Sequence, residues 1–293
     1  MRQRKAYLPL VDADILAHES CYAGQYKDDE TGEIKIVSFS GVLDKIEEKV
    51  IEIMEALDTP LEPIMFLTGE GNFREAIAQK KGYKANRDPD AKPFHIHNAR
   101  AYIRSRFNTV LSRGCEADDM LCVAQTKYIR DFNNGDSNVE SVICTRDKDL
   151  RQCEGWHYGW EMAQQPEFKL QWVDKLGSLT ATYKEGVTKA GNPSRTFKKL
   201  SGTGDKWLYA QMLTGDNVDN IPGLPKMGGA KAYQLLDQCQ SEVELASAVK
   251  QAYQEVYGDM WEVEMYEQAH LVYMVRELDD NNQLVFWRMP DGV

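Results

Sequence analysis

The chain has 293 residues, 42% hydrophobic and 28% charged, the length and composition of one large globular domain or two closely associated ones. No stretch approaches the ~20 uninterrupted apolar residues of a membrane span. The basic start, Met1 to Lys5, precedes an apolar run that Asp12 ends, too short for a signal peptide. The formal charge of −11, taken whole, argues against a nucleic-acid partner, whose phosphates usually leave a basic footprint.

Tyr7 to Val11 reads as a buried strand ending at Val11-Asp12-Ala13-Asp14. Val42, Leu43, Ile46, Val50, Ile53, Met54 and Leu57 follow at helical spacing and predict an amphipathic helix, which Pro60 and Pro63 break. Ile64 to Leu67 is a second strand. Ile96, Ala99, Tyr102, Ile103, Phe107 and Val110 keep one face of another helix, and Arg113-Gly114 turns into a helix whose first turn carries Glu116, Asp118 and Asp119. Val139 to Thr145 is a third strand, ending at Arg146-Asp147-Lys148-Asp149. Residues 167–206 lack clean periodicity and read as an elaborated insertion. Trp207 to Leu213 resumes an apolar helix, a loop rich in Gly and Pro follows, and Ala230 to Leu236 is helical again. The end is helical around Val243 to Tyr273 and closes with a strand-like Leu284 to Trp287. Strands alternating with helices predict an α/β fold with a mainly parallel central sheet and flanking helices. The expected division is a core over 1–160 and a C-terminal region over 161–293.

Charge is unevenly spread. Arg74 to Arg113 carries +7, which leaves −18 for the remainder, and Lys169 to Lys206 carries +5. The excess acid recurs where predicted strands end and helices begin: Asp12 and Asp14; Glu116, Asp118 and Asp119; Asp147 and Asp149; Asp216 and Asp219. Ligands of open α/β sheets bind outside the carboxyl ends of the strands. Like charges at this density cannot all ionise in a dry site unless cations neutralise them. Oxygen-only ligands select hard ions, so Mg²⁺ or Mn²⁺ is expected. Two such ions ~3.5–4 Å apart are suited to in-line attack of water on a phosphodiester. A lone Asp-x-Asp is usually a cap or a solvated turn, and Gly215-Asp216-Asn217-Val218-Asp219-Asn220 resembles an Asx-turn. Recurrence of four clusters favours the metal reading. His95 and His97 fall on different helix faces and are assigned no metal. The six cysteines (Cys21, Cys115, Cys122, Cys144, Cys153, Cys239) form no CxxC pair and read as reduced thiols of a cytoplasmic protein.

Ile221-Pro222-Gly223-Leu224-Pro225-Lys226-Met227-Gly228-Gly229-Ala230-Lys231-Ala232 turns tightly and opens a helix, with unpaired N–H groups at Gly228 and Gly229 and charge from Lys226 and Lys231. This is a helix-hairpin-helix arrangement over about 207–240, which grips duplex backbone without reading bases. Lys80, Lys81, Tyr83, Lys84 and Arg87 sit in the +7 region. Its bases are placed to steer a strand toward the metals, and Tyr83 is a candidate for stacking on a base.

As a set, LVDADIL, FLTGEGNFR with YKANR, CEADDM, CTRDKDL and GDNVDNIPGLPKMGGAKA resemble the flap endonuclease and 5′→3′ exonuclease family, closest to phage replication exonucleases. The resemblance spans roughly Leu8 to Leu236. It implies a PIN-like core with a helical arch (about 74–113) over a two-metal site, and a helix-hairpin-helix often holding K⁺. It implies Asp12, Asp14, Glu116, Asp118, Asp119, Asp147, Asp149, Asp216 and Asp219 as metal ligands, with Lys84 and Arg87 as catalytic arch bases. Many members place an Asp just after the second strand, where this chain reads Leu67-Thr68-Gly69-Glu70. The basic 167–206 segment is longer than the resemblance implies, and either a single strand or a partner could contact it. The expected activity is metal-dependent hydrolysis of DNA, or of RNA in RNA–DNA duplexes, from the 5′ end. The expected protein is a monomer acting on duplex and flapped DNA in the cytoplasm of a phage-infected cell. An aspartate-nucleophile phosphatase, suggested by Asp12-Ala13-Asp14, and a DNA-binding module without catalysis are the alternatives.

Overall fold

The computed structural model describes residues 6–88, 91–163, 165–187 and 191–293. The basic start Met1–Lys5, Asp90 of the +7 stretch and Lys189 of the +5 stretch lie outside the described residues. The first half contains β1 (Ala6–Asp12), α1 (Ala13–Tyr22), a short hairpin of β2 (Gln25–Lys27) and β3 (Ile34–Ile36), α2 (Ser40–Ala56), β4 (Ile64–Glu70), α3 (Phe73–Ile77), α4 (Ile96–Arg106), β5 (Asn108–Arg113), α5 (Ala117–Asn134) and β6 (Val139–Cys144). The second contains β7 (Gly155–Gly159), β8 (Phe168–Val173), a hairpin of β9 (Leu179–Val187) and β10 (Pro193–Gly202), α6 (Gly204–Thr214), α7 (Gly229–Leu236), α8 (Glu242–Tyr257) and α9 (Trp261–Val272).

The central sheet runs β5-β4-β1-β6-β7-β8, parallel throughout except for β8, which is antiparallel to β7. Its inner strands are apolar at consecutive positions because both faces are covered. Val11, Met65, Leu67, Val142 and Cys144 pack with α1, α2 and α4 on one side. Leu10, Phe66 and Ile143 pack on the other, against Ala117, Leu121 and Cys122 of α5. The period of two that sends neighbours to opposite faces holds in all three strands. Each fully buried Leu, Ile or Phe contributes about 1.5–3 kcal/mol. A separate core joins α6, α7, α8 and α9 around Leu213, Tyr253 and Met265.

Several expectations change. The helix drawn through Val110 ends at Phe107, and Asn108–Arg113 is an edge strand. Most of the described residues of 167–206 are strand: β8 extends the sheet and β9–β10 make an antiparallel ribbon with a bulge at Lys198. Leu284 forms only an isolated bridge to Leu278. Within the stretch of the expected arch, α3 and α4 are the helices, and the described residues between them form turns and bends. Cys122 of α5 and Cys153, whose Cα atoms lie 5.9 Å apart, are joined by a disulfide rather than reduced as expected; the other four thiols are free.

Candidate active site

The carboxyl ends of β1 and β6 and the amino end of α5 meet at one edge of the sheet. Asp12 ends β1 and caps α1. Its carboxylate accepts the Ile15 N–H at 3.1 Å and the Thr145 hydroxyl at 2.8 Å. Beyond β6 the Asp147 N–H donates to Thr145 Oγ1 (2.9 Å), and the Asp147 carboxylate accepts the Asp149 N–H (2.7 Å). Asp118, in the first turn of α5, faces Asp12, Asp147 and Glu116.

The loop from α6 to α7 delivers Asp216 and Asp219. Gly215 and Gly223 both hold positive φ (67° and 66°) and press backbone to backbone. A Cβ on Gly223 would lie 2.3 Å from Gly215 N. Reciprocal bonds join Asp216 and Ile221 (2.9 and 2.7 Å), and the Val218 N–H donates to Asp216 Oδ1 at 2.7 Å. The Asx-turn suspected from sequence is therefore present, and its side chain also faces the acids.

Seven of the nine candidate acids thus form one electrostatic cluster: Asp12, Glu116, Asp118, Asp147, Asp149, Asp216 and Asp219. Burial, reinforced by neighbouring carboxylates, pushes Asp12 up to about 6 and Asp149 to about 7, and raises Asp118 and Asp147 as well. Three cations answer them. Lys84 is ion-paired with Glu116 and lies 3.5 Å from Asp219; Arg87 Nη2 is 2.5 Å from Asp219 Oδ1. Lys148 is paired with Asp216 and lies 3.2 Å from Asp149. Burial works against the Lys148 ammonium, yet Asp149 and Asp216 more than offset it and hold its pKa above the usual range.

The other two acids do other work. Asp14 accepts the Thr68 N–H at 2.8 Å and is ion-paired with Arg100. Asp119 is fully buried and held by both Arg74 nitrogens (2.7 and 2.8 Å), by the Glu116 N–H (3.1 Å) and by the Val275 N–H (3.0 Å). Its oxygens are taken, so the expectation of Asp119 as a metal ligand is corrected to a structural anchor. Glu70 is exposed at the end of β4, opposite Arg113. Thr68, where an Asp was expected, accepts the Ala117 N–H with its hydroxyl (3.0 Å) at the start of α5.

The +7 stretch is mostly neutralised internally. Of its ten bases, Arg74, Lys80, Lys84, Arg87, Arg100 and Arg106 pair with acids from elsewhere, Lys80 with Glu264. Lys81 is exposed. The Tyr83 hydroxyl donates to Glu116 (2.7 Å) or Asp219 (2.9 Å), which corrects its expected stacking role to one of positioning the acids. The turn carrying Tyr83 and Lys84 also docks on the Asp216–Asn220 loop through Lys84 N–H to Asp219 O (3.0 Å) and Asn220 Nδ2 to Gly82 O (2.8 Å). At the hairpin, Gly228 precedes α7 without a side-chain cap, Lys226 is exposed, and Lys231 Nζ donates to Lys226 O (3.2 Å). Gly229 is packed beneath Phe197 and Leu200 of β10.

Sequence reading missed four contributors. Lys148 is visible in retrospect between two aspartates. Thr145 orients Asp12 and Asp147. Arg74 was counted as an arch base but is buried. Gln211 donates to Asp149 Oδ1 (2.6 Å), and its oxygen accepts from Gln152 (2.6 Å), which donates also to Val272 O (2.8 Å). That last chain has no sequence signature.

The donor set is all oxygen and desolvated, which suits a hard divalent cation. Among the described residues no three His, Cys, Asp or Glu side chains already close on one point. Lysine and arginine hold Glu116, Asp216 and Asp219 in that arrangement.

No family model matches the chain. It is 25% identical over 288 residues to DNA polymerase I of Bacillus subtilis (strain 168), covering 95% of this chain and 28% of that protein's length. Among solved structures it is similar to a T5 protein co-crystallized with metal ions, at TM-score 0.53 and 12% identity, covering 91% of this chain and 88% of the other. A T5 5′-exonuclease with divalent zinc ions bound superposes at TM-score 0.50 and 15% identity, covering 91% and 100%. The chain therefore shares its fold with these T5 5′-exonuclease structures.

Proposed function

We propose that this chain is a divalent-metal-dependent nuclease of the flap endonuclease and 5′→3′ exonuclease family, hydrolysing phosphodiester bonds of DNA. The observation that carries the reading is seven carboxylates from four separate chain segments gathered at the carboxyl edge of a parallel sheet, opposed by three cations. The shared fold with T5 structures that hold metal ions supports it.

Asp12, Glu116, Asp118, Asp147, Asp149, Asp216 and Asp219 are the residues that would hold the ions. The chemistry that a pair of hard cations supplies there is activation of water and neutralisation of charge on the phosphate. Thr145 orients Asp12, and Gln211 holds Asp149 by one oxygen. Lys84 and Arg87, hydrogen-bonded to the acids, are positioned to exchange those partners for a phosphate oxygen and neutralise it. The backbone N–H groups at Gly228–Gly229 present a phosphate cradle that reads no base. The finer content of the proposal is Mg²⁺ or Mn²⁺ as the ion, K⁺ at the hairpin, RNA in RNA–DNA duplexes as a second substrate, and phage replication as the setting; it rests on the motif resemblance. The phosphatase reading has less support, because it leaves Glu116 and Asp118, clustered with Asp12 and Asp147, without a role.

The test uses 5′-labelled flap, blunt duplex and RNA-primed substrates with Mg²⁺, Mn²⁺ or EDTA. Metal-dependent cutting is expected from the wild type, and Asp147→Asn should bind DNA without cutting it. Release of phosphate from a monoester with no cutting of DNA would refute the proposal. Millimolar Mg²⁺ should also raise the melting temperature of the wild type but not of Asp147→Asn, since ligand at 100 times its Kd stabilises by about 2.7 kcal/mol.

A further inference from the structure

The β9–β10 ribbon has two unlike faces. On one, Phe197 and Leu200 press on Gly229 at the start of α7. Tyr183 lies edge-on to Phe197 (5.9 Å between centroids), with the Arg195 guanidinium 4.1 Å from the Tyr183 ring centre and 3.1 Å from Glu185. On the other, register pairs Thr182 with Lys199 and Lys184 with Thr196, all four exposed. Lys198, the extra residue of the bulge, is exposed too. Glu185 is the one acid of the two strands, and it is turned to the docked face. Among the described residues, Lys184, Lys198 and Lys199 have no carboxylate partner. The three ammonium groups thus gather on one acid-free face, in a chain of net charge −11.

We infer that this face is a second contact for duplex backbone, separate from the α7 cradle. The inference rests on the proposed nuclease reading and extends it to a segment the hairpin motif does not include. Lys199 shares its face with Lys184, opposite the face whose Phe197 and Leu200 touch Gly229, so the lysines are turned away from α7 and free to meet a backbone of their own. Ammonium and hydroxyl groups without an acid complement a phosphate backbone. The occupant is duplex rather than single strand, because a single strand is held by stacking on aromatic platforms. Both aromatic rings of the ribbon belong to the docked face.

The test compares the wild type with Lys184→Gln/Lys198→Gln/Lys199→Gln, measuring duplex affinity in EDTA from 50 to 200 mM salt. Each duplex phosphate contact adds about −0.9 to the slope of log K against log salt. The triple variant should therefore be shallower by about 2.7, which makes the wild type lose about 40-fold more affinity over that range. The matching Lys→Arg variant should keep the slope, and affinity for a single strand of equal length should not change. An unchanged duplex slope in a wild type that binds duplex and cuts it with Mg²⁺ overturns this inference alone. A loss confined to single strand also overturns it. A wild type that neither binds nor cuts duplex overturns both readings.

Discussion

Asp118 and Asp119 are neighbours in sequence, yet the structure gives their neutral isosteres opposite effects on stability. Asp119→Asn removes the charge that answers Arg74, a guanidinium with no exposed surface that also bonds Leu271 O (3.0 Å) and Tyr273 O (2.6 Å). Breaking a buried pair from one side leaves the other charge uncompensated and costs about 3–5 kcal/mol. With an unfolding entropy near 2.1 cal/mol/K per residue, 293 residues give ~0.6 kcal/mol/K, so the melting temperature should fall by roughly 5–8 °C. Asp118→Asn instead removes a desolvated carboxylate that faces Asp12, Asp147 and Glu116. Relief of that repulsion should stabilise by about 0.5–2 kcal/mol, or about 1–3 °C, while cleavage is lost. The assay is thermal unfolding at pH 8 in EDTA, where no metal contributes, paired with cleavage in Mg²⁺. If Asp119→Asn melts with the wild type but loses its response to Mg²⁺, Asp119 is a ligand and the anchor role is wrong. If Asp118→Asn melts several degrees lower, the repulsive cluster is wrong.

The carboxyl groups of Asp12 and Asp149 sit at about 6 and about 7 in the folded state against a usual 3.8, so the folded chain binds protons more tightly than the unfolded one. The destabilisation they impose is complete above pH 7 and recedes as pH falls toward 4. Metal-free melting temperature should therefore rise between pH 8 and 5.5, and Asp149→Asn should flatten the rise; a fall in the wild type over that range contradicts the shifts. Buried His157, lowered to about 4 from 6.5 by desolvation, works the other way below pH 6.5, so His157→Gln should steepen the gain. Gly223→Ala places a Cβ against Gly215 N in a left-handed conformation and should cost about 2 kcal/mol or more, ~3 °C, with loss of cleavage as Asp216 and Asp219 shift. A fully active Gly223→Ala enzyme would show that the loop does not position them.

The inner strands were legible because burial on both faces leaves an uninterrupted apolar run, as in Ile64 to Leu67, and because acids crowd where such runs stop. The edge strand after α4 was not, because Phe107 and Val110 fit helical spacing as well as strand alternation, and only pairing with β4 decides between them. The β9–β10 ribbon was obscured because its polar face and bulge break the period of two. Among the acids, sequence spacing located the cluster but could not tell a ligand from an anchor. That distinction for Asp14 and Asp119 depends on Arg100 and Arg74, both remote in sequence and brought in by tertiary packing. The same arginines explain why a stretch counted as a basic arch is largely spent on internal ion pairs.

The Arg74 and Asp119 side chains also tie distant parts of the chain together. Their remaining partners come from Leu271, Tyr273 and Val275, more than 150 positions downstream of Asp119. Cutting the chain near 160, the expected division, would strip those carbonyls and that amide from the interior of the first piece. A fragment ending there should be poorly expressed and should regain order when the missing helices are supplied in trans, the behaviour of a split protein rather than of two modules.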